Sequence, residues 1–163
     1  MKNKFGKFGG IGDSSIVKHS NVPKALEYEK RIKKAKIVED SFFDKIKKEI
    51  QEATINFDFV ILKSTPGSGK TTRVPLFLHE IFSQKIYVLE PRRLAAKLAS
   101  IYVAKGLNQS PGKTVGHIFK YENATTNATK IIFLTEGTFV KILKENTSLD
   151  DTDVVILDEF HER

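Results

Sequence analysis

From Phe57 onward the chain alternates short, unbroken apolar runs with longer stretches at helical spacing. FDFVILKS reads as a buried strand, KTTRVPLFLHEIF as a helix and KIYVLEP as a strand. RRLAAKLASIYVAKG follows as a helix ending at Gly106, then VGHIFKY and KIIFLT as strands, EGTFVKILKEN as a helix and DVVILDE as a strand. Strands that are apolar on both faces and separated by helices predict a parallel sheet covered on both sides, an open α/β architecture without internal repeats. Upstream, Phe42, Phe43, Ile46 and Ile50 in SFFDKIKKEIQEA share one helical face behind a candidate cap, Ser41. PKALEYEKRIKKAKI predicts a helix with Pro23 at its first position. Residues 1 to about 22, rich in Gly, Lys and Ser, read as a flexible arm.

Charge sharpens that division. Of 27 Lys/Arg and 20 Asp/Glu, residues 1–36 hold ten and three, so residues 37–163 hold seventeen of each and the whole excess of +7 is N-terminal. We therefore divide the chain into a basic arm with its first helix, 1–36, and an α/β domain, 37–163. A basic segment attracts phosphate backbones without sequence preference; it equally serves as a solubilising tail or docks a protein partner. Cysteine is absent, which excludes disulfide, Cys-zinc and thiol redox chemistry and fits a reducing, cytoplasmic compartment. No apolar run approaches the roughly 20 residues that span a bilayer, and no membrane partner is expected.

In parallel α/β sheets ligands bind at the carboxyl ends of the strands, so chemistry is sought there. After FDFVILK comes STPGSGKTT, residues 64–72. Gly67 and Gly69, with Ser68 between them, let the backbone turn and aim successive N–H groups at one anion. Lys70 reaches the β and γ phosphates of a nucleotide, the Thr71 hydroxyl ligates Mg²⁺, and Thr72 continues the cradle. The pattern G-x-x-x-x-G-K-[ST] is met except at its first position, where Ser64 stands. The bland alternative is a glycine-rich turn with no ligand. At the end of the last predicted strand, Asp158 suits Mg²⁺ and Glu159 suits activation of an attacking water; two acids at a strand end also form an ordinary solvated edge.

The word DEFHER resembles motif II of the DEAH-box helicases of superfamily 2, and its phenylalanine resembles most the bacterial HrpB-like branch. SGKTTRVPLFL resembles motif I, LEPRRLAA motif Ia and LTEGTFVKIL motif Ib, with VGHIFKYEN between the last two. The resemblance implies a RecA-like first helicase domain and an ATP-dependent (or other NTP-dependent), RNA-stimulated nucleoside triphosphatase using Mg²⁺. By position it makes Asp158 the metal carboxylate, Glu159 the base and His161 the residue coupling nucleotide state to the motor. It lays Arg92, Arg93, Thr135 and Gly137 along a single-stranded RNA backbone. It puts Tyr102 where relatives carry an adenine-stacking arginine. It also implies that the chain is an N-terminal portion, a sheet incomplete at its C-terminal end that lacks motif III and the second RecA-like domain. Such a chain is expected to expose an unpaired strand edge and to hydrolyse weakly, since arginine fingers contribute about 10³–10⁵ in rate. The alternatives are another small P-loop NTPase, or a non-catalytic RNA-binding fragment acting through residues 1–36.

Overall fold

The computed structural model describes residues 13–18, 36–39, 43–145 and 149–162. Eight strands form one sheet: β1 (Asp13–Lys18), β2 (Lys36–Glu39), β3 (Phe59–Lys63), β4 (Lys85–Leu89), β5 (Val115–Phe119), β6 (Glu122–Ala124), β7 (Ile131–Leu134) and β8 (Thr152–Leu157). Four helices accompany them: α1 (Phe43–Asn56), α2 (Lys70–His79), α3 (Arg93–Gly106) and α4 (Glu136–Glu145), and a 3₁₀ turn covers Phe160–Glu162. The strand order is β2-β3-β1-β8-β4-β7-β5-β6.

The parallel sheet predicted from the apolar runs is present in β3, β8, β4, β7 and β5, with β2 parallel to β3 beside it, while β1 and β6 run antiparallel to their neighbours. Alternate residues of each central strand enter opposite cores. Ile86 and Val88, Ile131 and Phe133, and Val154 and Ile156 face one core together with residues of α1, α2 and α3. Tyr87 and Leu89, Ile132 and Leu134, and Val155 face the other, closed by Phe139 of α4 and by Leu149. A strand buried on both sides has no polar alternation to display, which is why these segments are continuous apolar runs. α1 is fastened to α2 by Gln51 Nε2, which donates to the carbonyl of Phe77 at 2.7 Å, and Ile50 is fully buried between them and the sheet.

Two expectations change. Residues 13–18, read as part of a flexible arm, form β1 inside the sheet, with Val17 opposite Phe59 on one side and Val155 on the other. As a result β8 is not an open edge: β1 pairs one side of it and β4 the other. Lys36–Glu39, at the end of the predicted helix, is likewise a strand, paired with β3. Ser41 and the remainder of residues 1–42 lie outside the described residues. No described helix is long and apolar enough to cross a membrane.

His79, at the end of α2, is held below its usual 6.5 first by burial and then by the positive charge of Lys130, opposed by Glu80. Its Nδ1 is buried with no hydrogen-bond partner among the described residues. The folded state therefore favours the neutral ring, and the contribution is complete above about 6.5 and lost as pH falls from there through the lower folded value. Thermal melts from pH 8 to pH 5 are expected to show a stability loss beginning near 6.5 that is reduced in His79→Gln.

Candidate nucleotide site

All six parallel strands end at the same edge of the sheet, and every candidate residue except Tyr102 follows one of those ends. β3 leads into the glycine loop, where Gly67 and Gly69 hold φ of 75° and 94°, a region that costs other residues roughly 1 kcal/mol or more. Gly69 ends the loop as the cap of α2: its carbonyl accepts from the N–H groups of Thr72 at 3.2 Å and Arg73 at 2.9 Å. The Lys70 side chain folds back into the loop and donates to the Ser64 carbonyl and hydroxyl, both at 3.1 Å, and to the Thr65 carbonyl at 3.4 Å. Ser64 is thus a working part of the loop rather than a defect in a pattern. Its buried hydroxyl holds both Lys70 and, at 2.7 Å, the Ser68 hydroxyl.

Eighty-seven residues later β8 delivers Asp158 against the start of α2, where the Thr71 hydroxyl donates to its carboxylate. The second carboxylate oxygen accepts from the Glu159 N–H at 2.9 Å, and the Asp158 N–H donates to the Leu89 carbonyl at 3.0 Å. Glu159 itself sits at φ 49°, a left-handed conformation uncommon for a long side chain and characteristic of functional turns. Thr71, Glu90, Pro91, Arg92, Ala95 and Glu159 line a cavity of about 280 Å³. His161, on the 3₁₀ turn, places Nδ1 3.4 Å from Glu159 Oε2. The loop and the acids, far apart in sequence, therefore meet at one place.

That donor set fits a nucleotide with Mg²⁺. The ion usually keeps several waters and takes one or two protein oxygens plus phosphate, and a hydroxyl in contact with a buried carboxylate supplies those protein oxygens. When bound, Mg²⁺ neutralises charge on the phosphate oxygens. Lys70 supplies a cation beside the loop amides, and Glu159 offers a carboxylate at the cavity wall.

The remaining candidates, Tyr102 apart, distribute themselves along the same edge. Arg92 and Arg93, adjacent in sequence, part company at the start of α3 because Arg92 is the extended cap residue and Arg93 the first helical one. Arg92 lines the cavity, whereas Arg93 lies over the Phe119 ring at 5.2 Å and 3.6 Å from Glu122. Thr135 opens α4, its hydroxyl 3.1 Å from that of Thr138, with Gly137 exposed in the first turn. Tyr102 is 69% exposed, about nine residues along α3, and is not among the residues lining the cavity.

Sequence reasoning missed two groups. Glu90, 4% exposed, adds a second carboxylate to the cavity; its signal was its place at the end of the KIYVLE run. The other is a network on the β5–β6 hairpin. Glu122 takes Lys97 at 2.6 Å, Arg93 at 3.6 Å and His117 Nε2 at 3.1 Å, while His117 Nδ1 meets the Ser100 hydroxyl at 2.7 Å. The Lys97 hydrogen bond and then that of His117 hold the Glu122 carboxyl below its usual 4.5. Beside it Tyr121, 81% exposed, carries Lys120 over its ring at 5.0 Å.

The sheet and its furnished carboxyl edge define a RecA-like α/β domain of helicase type. The chain belongs to the family described as type III restriction enzyme, res subunit, whose model matches residues 30–163. Among relatives it is 38% identical over 122 residues to the ATP-dependent RNA helicase HrpA of Borreliella burgdorferi, covering 73% of this chain and 15% of that protein. It is 41% identical over 106 residues to Escherichia coli HrpB (64% and 13%) and 43% identical over 118 residues to human DHX37, a probable ATP-dependent RNA helicase (70% and 10%). A crystal structure of E. coli DEAH/RHA helicase HrpB superimposes with a TM-score of 0.56 at 40% identity, over 60% of this chain and 13% of that one. The chain is thus homologous to DEAH-box RNA helicases and spans between a tenth and a sixth of the length of these relatives.

Removing the Thr71 hydroxyl deprives a carboxylate that is 1% exposed of one donor, a cost of about 1–3 kcal/mol. Thr71→Val is expected to lower the urea midpoint accordingly, and Thr71→Ser, which keeps the donor, to restore most of it.

Proposed function

We propose that this chain is the Mg–nucleotide-binding and RNA-contacting core of an ATP-dependent RNA helicase of the DEAH-box type. In this reading the segment 64–72 is a P-loop, Thr71 and Asp158 are the ligands of Mg²⁺, Glu159 polarises the attacking water and His161 reports on the nucleotide through Glu159. The observation that carries it is the Thr71–Asp158 hydrogen bond, which joins the glycine loop to the acid pair across 87 residues. Homology to ATP-dependent RNA helicases supports nucleotide use. Hydrolysis and strand separation are proposals for the protein that carries this domain, as is action in a reducing cytoplasm, for which the lack of cysteine speaks.

Titration with a fluorescent ATP analogue tests the nucleotide half. Each charge-assisted contact of about 1.5–3 kcal/mol corresponds to roughly ten- to hundredfold in affinity. Lys70→Ala is expected to weaken binding by that factor, and Asp158→Asn to abolish the difference between Mg²⁺ and EDTA. Glu159→Gln is expected to leave the affinity in place. Wild-type protein that fails to bind the analogue at any dose refutes the reading. Tyr102→Ala is expected to weaken the nucleotide several-fold if its exposed ring stacks on the base; unchanged affinity assigns it to the helix surface alone.

RNA contact is proposed along Arg93, Lys97, Lys120 and Tyr121 at one end and Thr135 and Gly137 beside them, cations and an exposed ring suited to phosphates and a base. The rival reading, RNA binding through residues 1–36 without catalysis, draws on the charge excess there. Binding of a single-stranded oligoribonucleotide between 50 and 200 mM salt separates them. Arg93→Ala is expected to reduce the slope of log K against log salt by about one; dependence of the slope on residues 1–36 alone favours the rival.

A further inference from the structure

The glycine loop and the acids belong to strands that do not pair. β3 carries the loop and β8 carries Asp158, and among the described strands only β1 lies between them, antiparallel to both. Ser15 stands opposite Ile61 and Leu157 at once, and Ile16 opposite Val60 and Ile156. Read through β1, Leu157 is therefore level with Ile61, so Asp158 comes level with Leu62, just before the loop begins. β3 and β8 stand two strand spacings apart, roughly 10 Å. A slip of β1 by one residue against either neighbour moves loop and acid past each other by about 3.3 Å and turns alternate side chains to the wrong face. A hydrogen bond such as that from Thr71 to Asp158 does not survive such a shift.

We infer that β1 is a positioning strand for the nucleotide site: its two-sided pairing sets the separation and level of the glycine loop and the acid pair, and bound nucleotide in turn holds β1 in the sheet. This rests on the nucleotide reading above. The coupling is reciprocal by linkage, since a ligand that needs loop and acid together binds only the state in which β1 is docked. The N-terminal segment thereby belongs to the nucleotide site through its backbone.

Three measurements on the full chain test this. The chain is cysteine-free, so Val17→Cys with Phe59→Cys, directly opposed in register and within disulfide reach for an antiparallel pair, should cross-link on oxidation and keep nucleotide affinity. Val17→Cys with Val60→Cys, one residue out of register, should not cross-link. Hydrogen exchange of the wild-type chain should slow at residues 14–18 when Mg–ATP analogue is added, approaching a hundredfold at ligand near one hundred times Kd. Ile16→Pro, which removes a ladder donor, should weaken the nucleotide at least tenfold while oligoribonucleotide binding persists; should this variant not fold, the exchange measurement decides alone. Unchanged exchange at 14–18 in nucleotide-saturated protein, full nucleotide affinity in folded Ile16→Pro, or cross-linking of the out-of-register pair in preference to the other overturns the inference. Absence of any analogue binding by the wild type overturns the nucleotide reading and this inference together, and correct cross-linking would then show that only the placement of β1 survives.

Discussion

A parallel strand directs its carbonyl end, and whatever follows it, to one edge of its sheet. Six parallel strands here therefore commit their following residues to the same rim, and the chemistry of the molecule follows from that constraint. The glycine loop after β3, the Glu90–Arg92 turn after β4, Lys120 and Tyr121 after β5, Thr135 after β7 and the acids after β8 are neighbours because their strands point the same way. The two cores enforce the direction. Because β4, β7 and β8 are buried on both faces, a one-residue register error would not expose a polar face but misfit two packed layers at once, so the rim is held in place from above and below.

In the proposed reading the rim divides into a nucleotide side and a backbone side. The boundary falls between two consecutive arginines. Arg92, still extended, lines the cavity with Thr71 and Glu159; Arg93, the first helical residue, joins the hairpin. There Glu122 gathers two cations and a buried imidazole about one carboxylate, while Ser100 anchors the other nitrogen of that imidazole to α3. Helix and hairpin are thus tied through side chains as well as through the sheet.

Much of this was legible in the sequence because it is written locally. Runs such as KIIFLT and VVIL announce strands buried on both faces, and glycine, lysine and threonine after one strand together with paired acids after another mark the candidate site by residue type alone. What was not legible depends on pairing between distant segments. DSSIVK and KIVE are short and lie in a lysine-rich stretch, and nothing in their own pattern says that β3 and β8 will flank the first or that β3 will pair the second. β6 is three polar-leaning residues whose strand character comes wholly from β5; there Gly116 lets the Ala124 carbonyl approach to where a Cβ would stand. Glu122 and Glu90 read as ordinary surface acids until the fold surrounds them. Ser64 looked like a mismatch and proved to be a hinge of the loop's hydrogen bonds.

The folded-back posture of Lys70 has an electrostatic consequence. With its ammonium resting on two carbonyls and a hydroxyl of the loop, the charge is solvated by the chain's own dipoles. In the proposed reading, a triphosphate reaching the loop would exchange acceptors around this ammonium, the neutral oxygens giving way to anionic ones.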